Sequence, residues 1–198
     1  MKNIVFYLVL LSIPFFSSVA ALLNKKHPNI KFHWGINEDI KPIFEKKYRQ
    51  EAYKNDIETV GTTYDMIICL TGTNTAISAA LGIPMLVLLP FNFPKLVPFM
   101  GLFGLLAELP LVGIWLKKAA LKIVAKKMKL IALPNMKAGR MIVPELVGFL
   151  TPQQVADEAE KLLVNISERE KINSELPIFM GHGGAAKRIA EKFQEIFS

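Results

Sequence analysis

The sequence predicts an α/β fold with a Rossmann-like parallel sheet and helices on both of its faces. Apolar, β-branched segments alternate with helical segments, as expected when crossover helices join parallel strands. The clearest unit is Met66–Pro90, which reads as an apolar strand, a Gly/Thr/Asn turn, a helix of small residues and a second apolar strand. Because 198 residues suffice for one such domain, we expect a single domain over residues 1–198.

The other elements are predicted from the same patterns. The segment before the motif strand reads as a strand at Asn29–Trp34, a helix at Ile40–Ala52 and a short strand at Ile57–Val60. Ala132–Pro144 reads as a loop. Thr151 followed by Pro152 is typical of a helix start. Three helices are predicted after it, at Pro152–Leu163, Ser167–Leu176 and Ala185–Phe197.

The amino terminus allows two interpretations. A positive start at Met1–Asn3, an apolar stretch and small residues at Ser18–Ala20 match the outline of a secretory signal or membrane anchor. The same residues could form the first helix of the domain. We favour the helix, because cleavage after Ala20 would remove part of the helical segment Pro14–Leu23.

The turn at Thr71–Thr75 is the first candidate ligand site. In open α/β sheets the ligand crevice lies at the carboxyl ends of the strands, and a helix amino terminus there offers N–H groups and a positive dipole to a phosphate. The turn matches neither a dinucleotide fingerprint nor a Walker loop. A plain helix cap is therefore the alternative.

A second cluster lies sixty residues further along. Ala132–Arg140 reads ALPNMKAGR and is followed by Ile142–Leu146, IVPEL. Together with GTNTA and LGIPMLVLLP in the first unit, this cluster resembles the carboxyl-terminal half of the lipid-A-disaccharide synthase family and its lipid-A-disaccharide synthase-related members. The resemblance extends from about Pro14 to the end of the chain.

The resemblance implies one lobe of a GT-B type glycosyltransferase, which grips a UDP-sugar for transfer to a lipid-like acceptor. It implies neither a metal nor a cofactor, and it assigns the acceptor and the catalytic base to a separate amino-terminal lobe, so the catalytic residues stay unknown. The implied nucleotide-sugar contacts are Gly72, Thr73, Asn74, Thr75, Asn135, Gly139 and Arg140. The alternative is a noncatalytic remnant or a membrane-associated interaction module that retains the fold.

Several positions depart from the family pattern. Ile77 stands where the family has a glutamate suited to ribose hydroxyls, and Met141 replaces a second glutamate. The family's Pro-Gly-Ser-Arg loop, expected just before the first helix, is absent from the sequence. Apolar side chains cannot replace charge-assisted hydrogen-bond acceptors, so ribose recognition differs from the family pattern.

The retained residues also have structural interpretations. Arg140 could pair with Glu145 on the surface instead of offering its planar donors to a phosphate. Asn135 could shape a turn after Pro134. Gly139 could only supply a permissive backbone.

Composition points to a membrane surface. The chain is 52% hydrophobic with a mean hydropathy of +0.33, and it carries a net charge of +7 with a pI near 9.4. Residues 85–130 read as an insertion in which an apolar stretch precedes a basic amphipathic helix, typical of attachment to anionic lipid. Prolines and glycines break the stretch well before the ~20 residues of a membrane span. The predicted membrane-facing residues are Phe91, Phe93, Phe99, Phe103, Trp115, Lys118, Lys122 and Lys126.

We therefore expect a cytoplasmic protein bound peripherally to the inner face of the membrane. A helix that packs on the core with its lysines in water is the alternative. Nucleic acid is not expected as a partner, because aromatic residues are not interleaved with the lysines and the segment has no arginine.

Other chemistry is not indicated. Cys69 lies in an apolar strand and reads as a core residue. His27, His33 and His182 have no metal-ligand spacing. Gly181–Gly184 resembles a phosphate loop, but we interpret it as the flexible entry to the last helix.

Overall fold

A computed structural model describes residues 2–7, 12–36, 41–48, 52–54, 64–93 and 130–180. In chain order the strands are β1 (Lys2–Tyr7), β2 (Ile30–Ile36), β3 (Ala52–Lys54), β4 (Met66–Leu70), β5 (Met85–Pro90) and β6 (Glu145–Gly148). The helices are α1 (Ile13–Lys26), α2 (Lys41–Tyr48), α3 (Thr73–Ala80), α4 (Leu133–Ala138), α5 (Pro152–Val164) and α6 (Ile166–Met180).

The six strands form one parallel sheet in the order β3-β2-β1-β4-β5-β6. This order confirms the predicted doubly wound sheet. The direction of winding reverses between β1 and β4, where a doubly wound sheet forms its ligand crevice at the carboxyl ends of the strands. The Thr71–Thr75 turn follows β4 directly and therefore lies at that crevice.

The helices form two layers, one on each face of the sheet. Helix α5 packs against α1, while α3 and α4 pack against each other and against α6. This division follows from right-handed crossovers, because the chain winds in opposite directions away from the β1–β4 junction and so places the connecting helices on opposite faces.

Apolar side chains of both layers bury the sheet. Strands β4 and β5 are buried almost throughout, which is why they read as continuous apolar runs. Around β1, the Phe6 ring stacks on Trp34 at a centroid distance of 5.0 Å and meets Phe16 edge-on at 5.5 Å. Trp34 in turn contacts Phe44 at 5.6 Å, so α2 is held to the same cluster.

The prediction of a helix at the amino terminus is wrong for the first residues of the chain. Lys2–Tyr7 form β1, which pairs with β2 on one side and β4 on the other, and the helix begins only at Ile13. An apolar run of this length has no periodicity that separates a buried strand from a buried helix. Cleavage after Ala20, as the signal alternative assumes, would remove this central strand.

Three other boundaries differ from the predictions. The predicted helix Ile40–Ala52 ends at Tyr48, and Ala52 belongs to β3; Ile57–Val60 lie outside the described residues. The predicted loop contains α4, which has a proline in its first turn and ends at Gly139 in the left-handed conformation. The range 85–130 begins too early for an insertion, because Met85–Pro90 form a core strand.

The helices predicted after Thr151 are confirmed as far as the description extends. Thr151 caps α5 through a capping box in which its hydroxyl accepts from the Gln154 N–H and the Gln154 side chain accepts from the Thr151 N–H. Helix α6 is longer than predicted and contains Pro177. The segment Ala185–Phe197 lies outside the described residues.

Candidate functional site

The Thr71–Thr75 turn lies at the carboxyl end of β4 and opens α3. The Thr71 N–H donates to the Leu88 carbonyl at 3.2 Å, so the start of the turn is fixed to β5. The Thr75 hydroxyl and N–H both donate to the Gly72 carbonyl, at 2.6 Å and 3.1 Å. The Thr75 side chain is thus buried and hydrogen-bonded within the turn, and it does not project into the crevice.

Gly72 gives this turn its shape. It is the N-cap of α3 and adopts φ 153° and ψ −165°, a conformation that is almost restricted to glycine. It is exposed, and no atom lies within 4 Å of the position that a Cβ would take. A glycine N-cap supplies no side-chain acceptor to the first turn, which contains Thr73 and Asn74. An anion can therefore approach the backbone N–H groups of this turn closely.

The exit of β5 forms the neighbouring part of the same edge. The Phe91 N–H donates to the Gly148 carbonyl at 2.7 Å, and the Asn92 side chain exchanges two hydrogen bonds with the backbone of Leu150. The ring of Phe91 meets that of Phe149 edge-on at 5.8 Å, and Phe93 meets Phe15 in the same way.

The prediction that Phe91 faces a membrane is wrong. Its side chain is only 3% exposed, because it packs beneath Phe149, which is 45% exposed. Phe93 is half-buried against α1. The other predicted membrane-facing residues lie outside the described residues, namely Phe99, Phe103, Trp115, Lys118, Lys122 and Lys126. Within the described ranges, no helix is long and apolar enough to span a membrane.

Asn135 is a buried structural residue in α4. Its amide oxygen accepts from the N–H groups of Ile142 and Val143, at 2.7 Å and 2.9 Å. Its amide nitrogen donates to the Val143 carbonyl at 2.8 Å and to Glu145 Oε1 at 2.6 Å. With two bonds accepted and two donated, the hydrogen-bonding capacity of the amide is used by the protein itself. This geometry matches the turn-shaping interpretation of Asn135.

Glu145 completes this network and was not singled out in the sequence as a site residue. Its carboxylate accepts from the N–H groups of Ile131 and Ala132 as well as from Asn135. The first residue of β6 thereby holds the segment that leads into α4. The sequence marked it only as part of the IVPEL segment and as a candidate partner of Arg140, and neither reveals which N–H groups approach it.

Arg140 does not pair with Glu145, so that alternative is wrong. Its guanidinium donates to Glu175 Oε2 at 2.8 Å and lies over the Phe179 ring at 5.6 Å, both on α6. The side chain is half-exposed. The contact is a surface ion pair between the residue after α4 and the last helix.

Helices α3 and α4 pack against each other, but the structure places Arg140 away from the Thr71–Thr75 turn. Arg140 lies five residues before β6 begins, whereas Thr71–Thr75 follow the end of β4. Glu175, its partner, lies on α6 beside Asn173, which donates to the Gly82 carbonyl just before β5. Both observations place Arg140 toward the amino edge of the sheet. The length of a five-residue strand, about 17 Å, separates the two edges.

Gly139, Ile77, Met141 and Cys69 were also singled out in the sequence. Gly139 is the left-handed residue that ends α4 (φ 65°) and, like Gly72, has open space around its Cα. Ile77 is half-buried against the core on α3, and Met141 is 59% exposed. Cys69 is a core residue, as predicted, and burial raises the pKa of its thiol to about 12.

Known proteins resemble this chain in sequence or in fold. No family model matches the chain. The lipid-A-disaccharide synthase of Myxococcus xanthus (strain DK1622) is 32% identical over 90 residues, which are 43% of this chain and 22% of that protein. The chain therefore matches about a fifth of the length of this curated relative.

Two solved structures have the same fold. The S. aureus MnaA–UDP co-structure superposes with a TM-score of 0.58 at 12% identity, over 99% of this chain and 45% of that one. The C-terminal domain of a glycosyl transferase group 1 family protein (LpcC) from Francisella tularensis superposes with a TM-score of 0.52 at 14% identity, over 92% and 87%. The resemblance to the lipid-A-disaccharide synthase family is confirmed, and the chain has the fold of one lobe of a GT-B glycosyltransferase.

Proposed function

We propose that this chain is the donor-binding lobe of a glycosyltransferase and holds the diphosphate of a UDP-sugar at the Thr71–Thr75 turn. The observation that carries the proposal is the turn itself, which combines an exposed glycine N-cap, open space and a helix amino terminus beside the β1–β4 junction. The UDP in the MnaA co-structure, a protein with the same fold, supports the choice of nucleotide.

The proposed contacts are limited to one edge of the sheet. Gly72, Thr73 and Asn74 would offer backbone N–H groups to the phosphates, while Thr75 keeps the turn in shape. Asn135, Gly139 and Arg140 are left out of the contact set, because their positions and partners give them structural roles at the opposite edge.

The acceptor and the second lobe belong to the same proposal. The synthase of Myxococcus xanthus is named for a lipid product, which supports a lipid-linked acceptor. The net charge of +7 supports attachment to an anionic membrane surface. The match covers 22% of that relative. We therefore propose that the chemistry requires an amino-terminal lobe that provides the acceptor site and the catalytic base.

A second candidate is a noncatalytic module that retains the fold. Two observations favour it: Ile77 packs against the core where the family has a glutamate, and Arg140 is engaged with Glu175. Such a module would be folded but would not bind UDP.

Calorimetric titration with UDP and UDP-N-acetylglucosamine distinguishes the two candidates. The donor lobe predicts saturable binding of both ligands, and binding that is unchanged within about twofold by Arg140→Ala, since a residue at the other edge makes no contact. A folded chain that shows no binding at millimolar UDP would exclude the donor lobe and favour the noncatalytic module. Weaker UDP binding by Arg140→Ala would show that Arg140 contributes to the nucleotide site.

A further inference from the structure

We propose that Asn92 is a positioning residue for the nucleotide-diphosphate site, an inference that rests on the function proposed above. Asn92 is the second residue after β5 and lies at the same edge of the sheet as the Thr71–Thr75 turn. Its side chain joins the segment that leaves β5 to the segment that leaves β6.

The geometry of this contact is that of one extra pair of a β-ladder. The amide nitrogen of Asn92 donates to the Leu150 carbonyl at 3.0 Å, and the Leu150 N–H donates to the amide oxygen of Asn92 at 2.8 Å. One residue earlier, the Phe91 N–H donates to the Gly148 carbonyl at 2.7 Å. The side chain therefore continues the β5–β6 pairing after the strands themselves have ended.

This pair lies between the strand that holds the candidate site and the start of α5. On one side, β5 holds the start of the turn through the Thr71 N–H, which donates to Leu88. On the other side, Leu150 is buried and directly precedes Thr151, the N-cap of α5. The Asn92–Leu150 pair orders the segments that leave β5 and β6 before a ligand arrives. Less ordering of the protein is then needed on binding, and such ordering lowers affinity.

The test compares UDP affinity among variants, with Asn173→Ala as the matched control. Asn173 is also an asparagine that donates to a backbone carbonyl, that of Gly82 at 2.8 Å, but at the amino edge of the sheet. Asn92→Ala is expected to raise the Kd for UDP about tenfold. Asn173→Ala is expected to lower stability and leave the Kd unchanged.

Asn92→Asp supplies a second measurement, the pH dependence of the Kd for UDP. A purely structural role of Asn92 would leave this pH dependence unchanged. The carboxylate keeps an acceptor for the Leu150 N–H but repels the Leu150 carbonyl, whereas the protonated acid can donate to it. The ratio of the variant's Kd to that of wild type is therefore expected to fall as the pH drops from about 7 to about 5.

The outcomes separate the two proposals. Wild-type binding with equal affinity in all three variants would overturn the role of Asn92 and leave the donor site intact. If Asn92→Ala and Asn173→Ala lost UDP affinity equally, Asn92 would contribute only to the stability of the fold. Absence of UDP binding in the folded wild type would overturn the donor site and this role together.

Discussion

Asn135 illustrates how a residue marked by a sequence motif can owe its place to folding. Its amide joins the first turn of α4 to Ile142 and Val143, which precede β6, and it also donates to the carboxylate of Glu145. Such a network stabilises the fold only while every member has its partners. The motif identified the residue, but a sequence does not show which N–H groups will approach a side chain.

Replacing Asn135 with alanine is expected to reduce the free energy of unfolding by about 3 kcal/mol. The change leaves the N–H groups of Ile142 and Val143 buried without their acceptor, and each such group costs about 1–3 kcal/mol. Urea unfolding of the variant and wild type measures the difference.

Asn165→Ala is the matched control for that measurement. Asn165 is an exposed asparagine with a single capping bond, in which its amide oxygen accepts from the Glu168 N–H at 3.0 Å. Its loss is expected to cost about 1 kcal/mol. Similar effects of the two substitutions would show that burial adds nothing to the role of Asn135.

Gly72 is a second residue at which the prediction from the sequence can be compared with the structure. A glycine between a strand and a helix indicated a turn, and the structure confirms it with a backbone conformation that other residues avoid. Its exposure and the open space beside it could not be read from the sequence, because they depend on how β5 and α3 are arranged around the turn.

Gly72→Ala is expected to destabilise the protein by about 1–3 kcal/mol and to weaken UDP binding about tenfold or more. The added Cβ forces the turn away from its conformation and occupies the space where a phosphate would approach. Calorimetry and urea unfolding of the same preparation measure both effects.

Gly139→Ala is the control for this substitution. Gly139 also has a positive φ (65°) and open space, but it lies at the amino edge of the sheet. It is expected to lose about 1 kcal/mol of stability and to keep its UDP affinity. If both variants bound UDP as well as wild type, the Thr71–Thr75 turn would not be the donor site.

At the scale of elements, a polar clamp joins α1 to α5. The Lys26 ammonium bonds both Asp157 and Glu160, and His27 Nε2 meets Glu160 Oε1 at 3.0 Å. Hydrogen bonds from Lys26 and then His27 lower the pKa of Glu160, and hydrogen bonds from Gln153 and Lys26 lower the pKa of Asp157. The sequence did not reveal this clamp, because Lys26 and His27 are far from Asp157 and Glu160 in the chain.

Acid is expected to weaken this clamp. A carboxylate whose pKa is lower in the folded state contributes stability above its unfolded pKa, and that contribution is lost as the pH falls through the folded value. The loss should therefore begin near the ordinary values of 4.5 for Glu160 and 3.8 for Asp157 and grow below them. Urea unfolding at a series of pH values measures the slope.

Glu160→Gln identifies the source of this acid dependence. The amide cannot titrate, so the variant should lose less stability than wild type between about pH 5 and pH 3. Because all these side chains are at the surface, high salt should reduce the difference. Identical slopes in the two proteins would assign the acid sensitivity to other groups.

The helices and strands differed in how well they could be predicted from the sequence. Met66–Pro90 was predicted correctly, since two almost entirely buried strands and a small-residue helix leave a clear pattern. The strand Lys2–Tyr7 was read as a helix, because uniform apolarity carries no period. Helix α4 was missed because its six residues are too few to show a helical repeat.

At the scale of the whole molecule, the charge is the feature that the fold does not explain. The net charge is +7, and Lys117, Lys118, Lys122, Lys126, Lys127 and Lys129 lie within a segment that contains no acidic residue. We propose that this segment attaches the protein to anionic lipid. Each basic residue near such a surface contributes about 1 kcal/mol, and the contribution falls off within a Debye length.

Flotation with lipid vesicles tests this attachment in the 198-residue chain. Wild type should float with vesicles that contain phosphatidylserine and remain at the bottom with neutral vesicles, and high salt should release it. Replacing Lys118, Lys122 and Lys126 by alanine removes about 3 kcal/mol of attraction, which corresponds to an affinity loss of about a hundredfold. Replacing Lys25, Lys31 and Lys171, three exposed lysines outside the basic segment, is the matched control and should preserve flotation. Equal flotation of both triple variants, or binding to neutral vesicles that salt does not release, would show that the basic segment is not the membrane contact.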